Sequence, residues 1–231
     1  MDRTVPVEPP ELGRTAGLAW ARFVPDAPPR GAILVLHGAG SSKESHFDFG
    51  RAARAAGFAA LCFDARGHGE SEGPMRMGVL DDVAAMAAEL PADVPLALRG
   101  SSMGGYLAIV AAGPLGARAV VAICPAPADA LVRGLRTGRF DFDVDRPALI
   151  AFVSENDHLQ AVGSFTGGLL LLHAEGDESV PYQHSVAIDA AAVDAAPKRL
   201  LVLPGGHHRS IQHDPELQAE TLRWLGKTLS S

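Results

Sequence analysis

Short, wholly apolar runs alternate along the chain with stretches whose apolar residues recur every three or four positions. The first pattern suits buried strands and the second amphipathic helices. Their alternation predicts βαβ units and a mostly parallel sheet with helices on both faces. Residues 32–36 (AILVL) read as a strand, 47–56 as a helix and 58–63 as a second strand. A helix is expected over 79–90, where Val79, Leu80, Val83, Met86 and Leu90 keep helical spacing. Residues 95–98 predict a third strand, 106–112 a helix and 119–124 a fourth strand.

The rhythm weakens after Cys124. Residues 125–168 are irregular and rich in Arg, Asp and Phe, which predicts a short lid with one or two short helices. The rhythm returns with strands over 169–173 (LLLLH) and 198–203 (KRLLVL). A closing amphipathic helix over 215–227 carries Leu217, Leu222, Trp224 and Leu225. The first 25 residues suggest antiparallel edge strands around 5–12 and 18–24. No internal repeat or low-complexity linker divides the 231 residues, so one α/β domain over 1–231 is expected.

Composition narrows the partners. The net charge is −7 and no Lys/Arg run occurs, which argues against nucleic acid and an anionic membrane surface. Cys62 and Cys124 sit in strand-like runs and read as buried free thiols of a reducing compartment. The start, MDRTVPVEPPEL, has no apolar core of a signal peptide, and no run of about 18 apolar residues follows. A cytoplasmic monomer or homodimer acting on a small molecule is the expectation.

In open parallel sheets, ligands bind at the carboxyl ends of the strands. The segments there are HGAGSS, DARGHGES, GSSMGG, HAEGDESVP and PGGHHRS, and the unusual Gly, His, Asp and Ser content collects in them. RGSSMGGYLAI could be a plain Gly/Ser turn between strand and helix. It also fits G-x-S-x-G in one register, with Gly100, Ser102 and Gly104. That spacing suits a nucleophile on a sharp strand-to-helix turn, where close backbone excludes a Cβ two residues either side. Ser102 is thus the candidate nucleophile rather than Ser101.

A serine hydroxyl needs a base. His37, His68, His173, His207 and His208 all stand in strand-end loops. His37 and His68 precede the serine in tight glycine loops and read as loop braces. His207 and His208 follow the last strand, where a base arriving late in the chain belongs. A carboxylate must fix the base's tautomer. Asp177 is the candidate, with Glu175 and Glu178 as rivals.

The order Ser102, Asp177, His207/His208 resembles that of the α/β-hydrolase superfamily, as do five motifs in sequence order. HGAG resembles the oxyanion loop, DARGHGES the D-x-R-G-x-G-x-S loop and GSSMGG the nucleophile elbow. GDESVP resembles the D-x-x-V-P acid loop, and PGGHHRS the terminal His loop. The resemblance covers residue 32 to about 229. It implies the α/β-hydrolase fold, Asp177 as the acid and His208 as the base, with His207 where relatives often carry Asp. It implies an oxyanion hole of the Ala39 and Met103 N–H groups, with His37, Gly38, Gly40, Gly100 and Gly104 in support. No cofactor follows from it.

The reading is a serine esterase or thioesterase for small to medium acyl groups. The short lid carries Arg133, Arg136, Arg139 and Arg146 beside Asp141, Asp143 and Asp145; these suit an accessible site, or simply a solvated face. The alternatives are an acyltransferase or peptidase on the same fold, or a non-catalytic binding protein on a hydrolase scaffold. His46, His158, His184 and His213 lack ligand spacing, so no metal site is expected.

Overall fold

The computed structural model describes residues 8–230. Eight strands form one sheet in the order β1-β2-β4-β3-β5-β6-β7-β8. They are β1 (Glu11–Thr15), β2 (Leu18–Phe23), β3 (Ala32–Leu36), β4 (Ala59–Phe63), β5 (Leu96–Ser101), β6 (Ala119–Ile123), β7 (Gly168–Ala174) and β8 (Lys198–Leu203). The β1–β2 hairpin pairs antiparallel to β4, and the other pairings are parallel. The expected first edge strand lies later than the sequence suggests, and residues 5–7 of that expectation fall outside the described part.

The parallel strands are apolar on both faces because both are covered. In β3 and β4, Leu34, Leu36, Leu61 and Phe63 face one core, whereas Ile33, Val35, Ala60 and Cys62 face the other. The first core packs under α2 (Val79–Ala87) and α3 (Met103–Ala112). The second packs under α1 (Phe47–Ala55) and α8 (Pro215–Thr228). Every residue of α3 is buried, consistent with a helix that is apolar all round. Asp214 caps α8 by accepting from the N–H groups of Glu216 and Leu217, with Pro215 in the first turn.

Two expectations change. The helix expected over 79–90 ends at Ala87, and residues 88–90 close as turns. The segment 125–168 holds three helices rather than one or two: α4 (Ala128–Thr137), α5 (Arg146–Glu155) and α6 (His158–Gly163). Their buried residues are few and spaced, such as Leu131 and Leu135 in α4, and polar residues between them mask the period. A further helix, α7 (Gln183–Ala191), joins β7 to β8. The lid is stitched to the 67–75 loop by main chain: Met75 and Asp143 share a 3.0 Å bond, Asp145 and Met75 one of 2.9 Å.

Topology places the crevice. β4 lies on one side of β3 and β5 on the other, so the chains leaving β3 and β5 diverge. The loop after β3 and the turn after β5 therefore flank an opening at the sheet's carboxyl edge.

Candidate functional site

The turn from β5 to α3 holds Ser102 at φ 53°, ψ −118°. A non-glycine residue at positive φ is strained, and such strain persists only where the surroundings enforce it. Here the Ser102 N–H donates to Ile123 O at 2.9 Å, and its carbonyl accepts from Ala126 and Tyr106 at 3.1 Å each. The flanking glycines are required sterically. A Cβ on Gly100 would sit 2.0 Å from the Gly104 carbonyl oxygen, and one on Gly104 would sit 2.1 Å from that of Leu36. Met103 opens α3, so its N–H has no intrahelical partner.

The loop after β3 is braced by two histidines. His37 Nε2 accepts from the Ala65 N–H at 3.0 Å, so Nδ1 carries the proton and donates to Gly38 O at 2.8 Å. His68 Nε2 accepts from the Gly40 N–H at 3.1 Å and donates from Nδ1 to Arg66 O at 3.0 Å. The Ser41 N–H goes to Gly38 O. The Ala39 N–H is the donor of this turn that none of these bonds takes. Burial, then the neighbouring His68, pushes His37 down to about 4, and burial lowers His68 as well. Both rings are thus neutral at pH 7, as their acceptor nitrogens require.

Beneath that loop lies a group of charges. Asp64, fully buried, accepts from the Lys43 N–H (2.7 Å), from Lys43 Nζ (2.9 Å) and from the Glu70 N–H (3.0 Å). Lys43 Nζ also reaches Glu70 and Glu44. Desolvation opposes the ammonium, but hydrogen bonds to Glu44, Glu70 and Asp64 outweigh it and raise Lys43. No spacing in the sequence marks Lys43, because its partners come from a different loop.

The loops after β7 and β8 meet over Asp177. One carboxylate oxygen accepts from Ser179 and Val180 N–H at 2.9 and 2.8 Å. The other lies 2.7 Å from His208 Nδ1 and 3.4 Å from His173 Nε2. Burial opposes the carboxylate, but these bonds from His173, His208 and Val180 hold it well below the usual carboxylate range. With Nδ1 donating to Asp177, His208 keeps Nε2 free as an acceptor. His207 instead leaves its ring on the cleft wall while its backbone pairs with Ser210. Glu175 and Glu178 are exposed.

His173 emerges as a second partner of the acid rather than as a base. It is fully buried, takes the Ser185 hydroxyl on Nδ1 (2.7 Å) and donates from Nε2 to Val180 O (2.8 Å). Cys124, at φ 43°, completes a cluster in which its sulfur and ligand atoms of His173 and Asp177 lie within 4.8 Å of one another. Both ring nitrogens of His173 are already committed to protein atoms, so the cluster works as a hydrogen-bonded support.

Ser102, His208, Ala39 and Arg209 together line two adjoining cavities, of about 600 and 140 Å³. Among the described residues no hydrogen bond links the Ser102 hydroxyl to His208, although both face the same space. The larger cavity runs under the lid past Leu131 and Phe140, which also wall a small apolar space behind it. Within the lid, Arg139 and Asp141 face the cleft, Asp145 caps α5, and Arg133 pairs with Asp129 on the outer surface. The lid charges thus divide between cleft and solvated face.

This sheet order, the strained serine turn and the late-arriving acid and histidine define a class: the chain has the α/β-hydrolase fold. A family model described as serine aminopeptidase, S33 (Hydrolase_4), matches residues 27–135. YfhR of Escherichia coli O157:H7, described as an uncharacterized protein, is 30% identical over 185 residues. That match takes in 76% of this chain and 62% of YfhR, so the chain spans less than two thirds of that relative's length. Among solved structures, Est1E from Butyrivibrio proteoclasticus superposes with a TM-score of 0.76 at 17% identity, over 97% of this chain and all of that one. The monoacylglycerol lipase of Paleococcus ferrophilus gives 0.73 at 20% identity, over 92% and 98%. These structural likenesses are of fold. Among the described residues no helix is long and apolar enough to cross a membrane.

Proposed function

We propose that the protein is a serine hydrolase of carboxylic esters or thioesters. The observation that carries the reading is Ser102, strained at the elbow, opening on the same cleft as the His208–Asp177 pair. In this reading His208 Nε2 takes the Ser102 proton as Oγ attacks the acyl carbon. Asp177 holds the imidazole in the required tautomer and stabilises the imidazolium. The Ala39 and Met103 N–H groups receive the oxyanion, with the α3 dipole behind the second. The ester C–O bond breaks as His208 returns its proton to the leaving alcohol. Water, deprotonated by the same nitrogen, then cleaves the acyl-enzyme.

A peptidase is the second reading, favoured by the family model's description as a serine aminopeptidase. It uses the same residues and differs in the leaving group. Ser102→Ala is expected to lower p-nitrophenyl butyrate turnover by about 10³-fold or more, and Ser101→Ala to leave most of it. Wild-type turnover in Ser102→Ala, or no labelling of Ser102 by a fluorophosphonate, would overturn the reading. Faster cleavage of aminoacyl amides than of matched esters would select the peptidase.

A further inference from the structure

The two cavities that open from Ser102 differ in lining. The larger presents Ala126, Leu131, Phe140 and Val180, a surface for an acyl chain. The smaller presents Ser41, Ser45, Gln212 and His213. Arg209 lines both. Arg139 reaches the larger cavity from the lid. Among the described residues neither guanidinium has a hydrogen-bond or ion-pair partner. Several arginines elsewhere, such as Arg14, Arg66, Arg133 and Arg223, are paired with Glu72, Asp82, Asp129 and Glu220, whereas Arg51, Arg76, Arg136 and Arg146 have no side-chain partner among the described residues, so it is their place in the cleft that distinguishes Arg139 and Arg209. Asp141 also lines the larger cavity and forms no ion pair with either arginine. The chain is acidic overall, with 27 acidic residues against 20 basic ones, yet two cations stand beside its candidate nucleophile.

Chemistry fixes which part of the substrate meets Arg209. The group that leaves receives its proton from His208, and Arg209 is the next residue. The alcohol side of the ester is therefore the side on His208, where Arg209 lines both cavities. Guanidinium groups recognise carboxylate and phosphate by paired hydrogen bonds. We propose that the site takes esters whose alcohol portion carries an anionic group, a carboxylate or a phosphate, held by Arg209 with Arg139 on the lid side. The proposal rests on the serine-hydrolase reading. The reaction is unchanged: the ester C–O bond breaks, the acyl group passes to Ser102, and the anionic alcohol leaves with the His208 proton.

Three butanoyl esters test it: those of 4-hydroxybenzoate, of 4-hydroxyphenyl phosphate and of neutral methyl 4-hydroxybenzoate. The readout is the kcat/KM of each anionic ester divided by that of the neutral one, in wild type and in Arg139→Gln/Arg209→Gln. That ratio is expected to fall about fivefold or more in the double variant, and less in Arg209→Lys, which keeps the charge. In wild type it should also shrink as salt rises, since the charges are exposed. The anionic ester whose ratio falls further identifies the anion. An equal ratio in both proteins, with the neutral ester still cleaved, overturns this inference and leaves the hydrolase reading standing. If none of the three is cleaved, the hydrolase reading falls. Binding of 4-hydroxybenzoate and phenyl phosphate to Ser102→Ala, with and without the arginines, then decides the anion site alone. Weaker binding without them supports it, and equal binding overturns it.

Discussion

The two walls of the cleft are built differently. The wall from β3 and β5 is held from below: Asp64 and Lys43 lock the following loop, His37 and His68 fix its turn, and Ser102 is pinned by Ile123 and Ala126. These groups are buried, and nearly every polar atom has a fixed partner. The opposite wall, from the lid and the loop after β8, presents exposed Arg139, His207 and Arg209. The main chain of the lid is tied to the 67–75 loop, but of the cleft-facing side chains of Arg139, His207, His208 and Arg209, only that of His208 has a hydrogen-bond partner among the described residues, Asp177. The contrast separates tasks. Stabilising developing charge needs donors that do not reorganise, so those stand on the stiff wall. Matching a particular substrate needs side chains that can adapt, and those stand on the loose one.

The sharpest way to break the contrast is to undo the stiff wall from beneath. Asp64→Ala removes the acceptor of three hydrogen bonds and leaves the buried Lys43 ammonium short of a counter-charge. Removing one partner of a buried pair typically costs 3–5 kcal/mol, and Glu44 and Glu70 offset part of it. A loss of about 3 kcal/mol is expected in urea unfolding. A loss under about 1 kcal/mol would show that this wall does not depend on its buried charges.

Acid attacks the same wall through its histidines. His37 has a folded value of about 4 against 6.5 in a free peptide, and His46 and His68 are lowered too. Between those values the unfolded chain binds more protons than the folded one, so stability rises with pH there. It is full above about 6.5 and lost progressively toward pH 4. His37 alone accounts for about 3 kcal/mol of that loss if its whole shift is realised. Asp177, lowered in the folded state, adds a loss in the same direction at more acid pH. Urea midpoints at pH 7 and 4.5 measure the change, and a flat profile would mean that these imidazoles protonate in place.

How much of this could be read beforehand follows from the same physics. Buried parallel strands carry apolar residues on both faces, so runs such as LVL in β3 and LLL in β7 identify themselves, and β8 begins and ends where its pattern does. The serine turn is legible because backbone crowding permits only glycine at Gly100 and Gly104. The support beneath is not. Lys43 and Arg99 are polar residues buried by partners distant in sequence; Arg99, for instance, stacks on Phe49 at 3.9 Å and donates to Gln212 O. No local period encodes such partnerships. The lid helices escape for a related reason: α4 buries only Leu131, Gly134 and Leu135, and its charges obscure that stripe.

The smallest expected effect tests the loose wall. Arg133 and Arg139 stand six residues apart in one lid, and composition alone cannot separate them. Arg133 is exposed, as is its partner Asp129 one helical turn away on the outer face of α4. Such a pair contributes about 0.3–0.5 kcal/mol, and solvent and salt screen it. Arg133→Gln should therefore shift the urea midpoint by no more than that amount and leave ester turnover at the wild-type level. Arg139 lies past the left-handed Gly138, where the chain turns back toward the cleft, and among the described residues its guanidinium forms no ion pair with a carboxylate. If Arg133→Gln altered the preference for anionic esters as strongly as Arg139→Gln, the lid would act through its summed charge. If only Arg139→Gln does so, the preference comes from a placed side chain, and the loose wall is adaptable without being unspecific.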